Sequence, residues 1–250
     1  MINRDTVTVG IIWIIATVLV EIGFTQVDIF PAAASEEAVI VDDAFNFLTY
    51  LAIPIFTFIL IALVYSGFKF KNKPEAEPID GGTREDGPPV RTHRTWVWGW
   101  MVVTSALVVT VIIHPGLTGL NEVDEIAQED NLELVIEATG VQWAWTFTYP
   151  DQGLTTNELV LPLDTHVRFD VKAVDVLHSF WIPAFRTKID AVPGLTTQIH
   201  ANITELGNYD DDVNFRVQCA ELCGRDHAIM RSTVEVVERE EFNEWVLAQQ

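Results

Sequence analysis

The chain has 250 residues, of which 49% are hydrophobic, and a formal net charge of -21 at pH 7. Two cysteines in total exclude a disulfide-rich scaffold, and the absence of Cys-x-x-Cys-His excludes a covalently attached haem. High apolar content beside strong acidity implies segregation, with apolar segments in one part and an acidic surface in another, a surface that repels nucleic acid.

Three apolar runs occupy the first half. Residues 6–24 carry one charge, Glu21; residues 44–68 carry none and include Pro54; residues 96–113 carry none and open with Trp96, Trp98 and Trp100. About 20 apolar residues span a bilayer core, and tryptophans favour its interface, so each run is expected to be a transmembrane helix in contact with lipid. The first run, residues 1–24 with its flank, has two readings. Arg4, the apolar stretch and Ala32-Ala-Ala34 match a signal peptide with a cleavage site, whereas the length of the run favours a retained helix.

Basic residues orient the helices. Six fall between Phe68 and Trp96, namely Lys69, Lys71, Lys73, Arg84, Arg91 and Arg94, and none occurs from Pro115 to Val167. The positive-inside rule therefore places loop 69–95 in the cytoplasm and residues 115–250 outside, as a domain behind a helical hairpin of residues 25–114. That loop is rich in Pro, Gly and charge and reads as a flexible connection.

The outer domain reads as all-β. Strands are expected at 132–137, 159–163, 166–174, 196–203, 213–217 and 232–237, with a short helix at 241–250. In Gln142-Trp-Ala-Trp-Thr-Phe-Thr-Tyr149 the four aromatics recur at period two, which lines one face of a strand. A strand, a loop and a strand with a distant histidine suit a Greek-key sandwich.

The loop is Cys219-Ala-Glu-Leu-Cys-Gly-Arg-Asp-His-Ala-Ile-Met230. Thiolate, imidazole and thioether are the ligands preferred by thiophilic copper, and two thiolates on one short loop can bridge two ions. A disulfide, a zinc site or ordinary packing compete. A disulfide leaves the His227 and Met230 spacing to chance, and structural zinc favours two-residue Cys spacing without Met.

Asp175-Val-Leu-His178, Asp190-Ala-Val-Pro-Gly194, Gln218-Cys-x-Glu-x-Cys-Gly224 and His227-x-x-Met230 follow one another as they do in subunit II of haem–copper cytochrome c oxidases, which the chain closely resembles. The resemblance implies two or three N-terminal transmembrane α-helices before an all-β cupredoxin. It implies a binuclear copper centre bridged by Cys219 and Cys223. His178 and Met230 complete one ion, and His227 with the backbone carbonyl of Glu221 completes the other. It further implies that the Glu221 side chain ligates a magnesium ion shared with subunit I. Trp143, the first Trp of Gln-Trp-x-Trp, admits electrons from cytochrome c, and Asp175 is a docking acid.

Implied partners are subunit I, other oxidase subunits and a basic electron donor such as cytochrome c. The basic donor suits residues 115–250, where 24 acidic against 8 basic residues give a net of -16. The implied location is the plasma membrane of a prokaryote. The copper subunit of a nitric oxide reductase and a membrane-anchored copper-delivery protein are the alternatives. Two departures stand out. Thr92-His-Arg-Thr-Trp96 lacks the Glu that the family often has at the mouth of a proton path, and Leu195 follows Gly194 where Arg is common.

Overall fold

The computed structural model describes residues 4–27, 29–69, 93–128 and 132–250. Most of the loop expected in the cytoplasm, residues 70–92, lies outside the described residues, as does Thr92. The chain divides into two compact units, one with α1 and most of α2 and α3, the other with residues 29–44 and 117–250.

In the first unit, α1 (Arg4–Phe24) and α2 (Glu36–Lys69) contain the first two apolar runs and extend them, and α3 (Arg94–Val111) covers the third as far as Val111. All three belong to helices long and apolar enough to cross a membrane. Polar side chains tie α1 to α2. Trp13 Nε1 donates to Pro54 O at 2.8 Å, Thr17 and Thr57 hydroxyls meet at 2.7 Å, and Tyr65 OH donates to Asp5 at 2.7 Å. Such bonds join helices where apolar packing against lipid alone gives no preference. After α3, His114 takes an extended conformation (φ -137, ψ 124) ahead of Pro115, because a residue before proline is pushed out of the helical region.

In the second unit, a short helix α4 (Thr118–Ile126) precedes eleven strands. They are β1 (Leu134–Val141), β2 (Ala144–Tyr149), β3 (Leu154–Thr156), β4 (Leu159–Pro162), β5 (Thr165–Ala173), β6 (His178–Ile182), β7 (Thr187–Ala191), β8 (Thr197–Ile203), β9 (Gly207–Asn208), β10 (Arg216–Cys219) and β11 (Arg231–Val237). Helix α5 (Arg239–Gln249) closes the chain. One sheet has the order β3-β2-β1-β5-β8. The other has β4-β11-β10-β6-β7, with β9 also on β11. The two form a cupredoxin sandwich behind N-terminal apolar helices, the architecture expected from the sequence.

The alternation read in the aromatic stretch holds for Trp145, Phe147 and Tyr149, all fully buried on β2. It fails for Trp143, which lies in the turn before β2 and is only partly buried. Each large apolar side chain buried this way contributes on the order of 1.5–3 kcal/mol. The Tyr149 hydroxyl donates to Val160 O at 2.8 Å and accepts from Val160 N at 3.0 Å, so its burial leaves no polar atom unpaired, and burial raises its pKa.

A strap of residues 29–44 lies against the sandwich. Ala34 N donates to Ala184 O, Thr204 N donates to Ala34 O, and Ser35 Oγ bonds Phe185 O while accepting from Ala38 N as the cap of α2. Arg186 clamps Asp42 through two nitrogens at 2.9 and 2.7 Å and donates to Pro31 O and Pro183 O at 2.7 Å.

Candidate metal centre

Strand pairing assembles the site. Antiparallel β6 and β10 place Cys219 opposite Phe180, which brings His178, the first residue of β6, beside the end of β10. The loop then leaves Cys219 and returns to Met230, and Cys219 N donates to Met230 O at 3.0 Å to close it. All six expected ligand groups converge. Cys219 Sγ lies 3.9 Å from His178 Nδ1, 3.3 Å from Glu221 O and 3.7 Å from Cys223 Sγ. Cys223 Sγ in turn lies 3.6 Å from His227 Nδ1 and 3.7 Å from Met230 Sδ. His178, Cys219, Cys223 and Met230 are buried, and His227 is half-buried. Among the described residues, His178, Cys219 and Cys223 form the one group of three or more His, Cys or acidic residues whose ligand atoms lie within 4.8 Å of one another.

The geometry bears on the readings left open. A disulfide needs sulfurs about 2.05 Å apart, and these are free thiols at 3.7 Å. Two sulfurs, two imidazole nitrogens, a thioether and a carbonyl also exceed what one tetrahedral zinc can use. The donor set is soft and fits copper. Burial and the adjacent Cys219 thiol push the Cys223 thiol up to about 11, so without a cation it stays protonated.

The surroundings orient the candidate ligands. Asp175 Oδ1 holds His178 Nε2 at 2.9 Å, which leaves Nδ1 facing Cys219. Asp175 also accepts from Gln142 N at 2.8 Å and Val176 N at 2.7 Å. Burial pushes its pKa up, but the His178 bond and the two amides outweigh this and hold it at about 2. Three hydrogen bonds thus engage the expected docking acid, whose side chain stays 26% exposed. Trp143 Nε1 donates to Cys223 O at 3.2 Å, and the Arg225 guanidinium lies 5.7 Å over its ring. Gly224 (φ +120) permits this approach, since a Cβ there would meet the Trp143 ring at 3.3 Å. The Glu221 side chain is exposed while its carbonyl faces Cys219.

Sequence reasoning missed Gln142, whose Nε2 donates to Cys223 O at 2.8 Å. Its place in Gln-Trp-x-Trp was the available signal.

A membrane-anchored cupredoxin with a paired-thiolate centre is the class that fold and site define. Residues 152–237 match the family model described as cytochrome c oxidase subunit II, periplasmic domain. The chain is 27% identical to cytochrome c oxidase subunit 2 of Synechocystis, over 88% of this chain and 75% of that one. It is 30% identical to the probable cytochrome c oxidase subunit 2 of Rickettsia prowazekii, over 80% and 65%. It is 37% identical to the crystallised periplasmic domain of subunit II of cytochrome oxidase of Bradyrhizobium japonicum, over 47% of this chain and 94% of that one, with a TM-score of 0.43. The chain belongs to the cytochrome c oxidase subunit II family, and so to the subunits of a haem–copper oxidoreductase complex.

Proposed function

We propose that the chain accepts electrons from a cytochrome c-type donor at a binuclear copper centre and passes them to the haem of subunit I for reduction of oxygen to water. The observation that carries this reading is the pair of buried sulfurs 3.7 Å apart with an imidazole nitrogen beside each. A copper pair held at these two sulfurs would supply a one-electron relay.

The chain's own residues do the rest. Cys219 and Cys223 would hold both ions, His178 and Met230 would serve one, and His227 with the Glu221 carbonyl would serve the other. Asp175 fixes the His178 tautomer through its 2.9 Å bond. Burial of His178, Cys219, Cys223 and Met230 keeps water from the ligands. Trp143, in contact with the Cys223 carbonyl, is the residue through which the donor's electron arrives. The exposed Glu221 side chain is the group that meets magnesium at the subunit I boundary. The helices hold the domain at the outer face of the plasma membrane, with the basic stretch at 69–94 inside.

Metal analysis of the purified chain tests the reading. It should hold two coppers and show a mixed-valence purple form, and Cys219→Ser should abolish that spectrum. One copper per chain, or preferential retention of zinc, would overturn it. Protease applied to spheroplasts should remove the copper domain if it faces outward.

A further inference from the structure

Gln142 lies outside the ligand set, yet it touches both halves of the centre. Its Nε2 donates to the carbonyl of Cys223, on the loop between β10 and β11, at 2.8 Å. Its backbone N donates to Asp175 Oδ2 at 2.8 Å, and Asp175 Oδ1 holds His178, on β6, at 2.9 Å. We propose that Gln142 is a positioning residue for the metal centre, one that locks the loop half to the strand half and aims an N–H dipole at the site. The inference rests on the copper reading above.

Three observations support it. The Cys223 carbonyl accepts from Gln142 Nε2 and from Trp143 Nε1 at 3.2 Å, so both its lone pairs are used and the peptide cannot turn without breaking a bond. That peptide carries the Cys223 side chain, whose sulfur faces both Cys219 and Met230. The amide is also seated closely, since a Cβ on Gly224 would meet Gln142 Nε2 at 3.0 Å. The orientation of the amide follows from chemistry, because the opposite rotamer would set its oxygen against a carbonyl oxygen.

A donor whose positive end points toward the centre favours the reduced, less positive state, so its removal lowers the reduction potential. Outer partners of metal ligands are typically worth about 10- to 100-fold in metal affinity. The test uses the full chain in its oxidase complex with Gln142→Leu, which keeps the bulk and loses the donor, and Gln142→Glu, which sets a carboxylate against the carbonyl. Copper loss to a chelator and the spectroelectrochemical potential are read for each. Both variants should load two coppers, lose them about 10- to 100-fold more readily, and show lowered potentials in the order Gln, Leu, Glu. Should Gln142→Leu fail to fold, Gln142→Asn, one methylene short of the carbonyl, reads the same two quantities. Wild-type affinity and potential in a folded variant would overturn the proposal and leave Gln142 an ordinary turn residue. Failure of the wild type to hold two coppers would overturn the copper reading, and this inference with it.

Discussion

Asp175 Oδ1 and His178 Nε2 lie 2.9 Å apart, and that bond points the other ring nitrogen at Cys219. Asp175→Asn keeps the shape and removes the charge that fixes this tautomer. Copper affinity, read by chelator competition, should fall about 10- to 100-fold. The same substitution has a pH signature in the metal-free chain. The folded pKa of Asp175 is about 2, below its ordinary 3.8. A depressed carboxylate adds stability that is full above the unfolded value and is lost as pH falls through the folded one. Acid unfolding should therefore steepen between about pH 4 and pH 2 in the wild type, and Asp175→Asn should flatten that limb.

Tyr149→Phe tests the core away from the metal. The change removes a hydroxyl that pairs with both polar groups of Val160 and leaves them buried without it. The cost should be about 1–3 kcal/mol, read from the urea midpoint, with the copper spectrum unchanged.

Arg186 and Asp42 form a two-pronged pair with side chains only 10% and 15% exposed. Arg186→Ala leaves the Asp42 carboxylate unpaired, and removal of one partner of such a pair costs about 3–5 kcal/mol. Arg186→Lys cannot reproduce the fork and should recover only part of that. Limited proteolysis near Pro31 should quicken in both, because Arg186 also holds the Pro31 carbonyl.

The candidate ligands were legible because their chemistry is carried by residue type and spacing. Cys219, Cys223, His227 and Met230 announce a soft metal wherever the loop folds, and His178 followed from the resemblance. Strand β5, which alternates from Val167 to Ala173, was legible for the same local reason. What escaped depends on partners distant in sequence. Strand β6 is buried at four of its five positions and shows no alternation. The expected strand at 213–217 is mostly turn, with Val213 exposed, and its pairing begins only at Arg216. The bonds of Asp175 to Gln142 N and His178 Nε2 have no signal in its local sequence. Arg186 gives no sign of Asp42, 144 residues away.

Trp143 supplies the most discriminating experiment. Period-two spacing aligned it with the aromatics of β2 on one face of a strand, and the resemblance made it the point of electron entry. The structure sets it in the turn before β2, partly buried, with Nε1 on Cys223 O at 3.2 Å and Arg225 over its ring. Phe keeps most of the packing but loses the hydrogen bond and the indole. Copper content should persist, since Trp143 is not a ligand and Gln142 still holds the carbonyl. Donor binding should also persist, because the -16 net charge of residues 115–250 steers a basic protein from a distance. That steering should weaken as salt rises, the Debye length being about 8 Å near 0.15 M. Stopped-flow reduction by a basic cytochrome c separates the two effects. The association rate should fall with ionic strength equally in wild type and variant, while electron transfer at saturating donor slows at least about tenfold in Trp143→Phe alone. Such a drop corresponds to about 1.4 kcal/mol in the barrier. A variant that transfers electrons at the wild-type rate would show that they reach the centre by another surface.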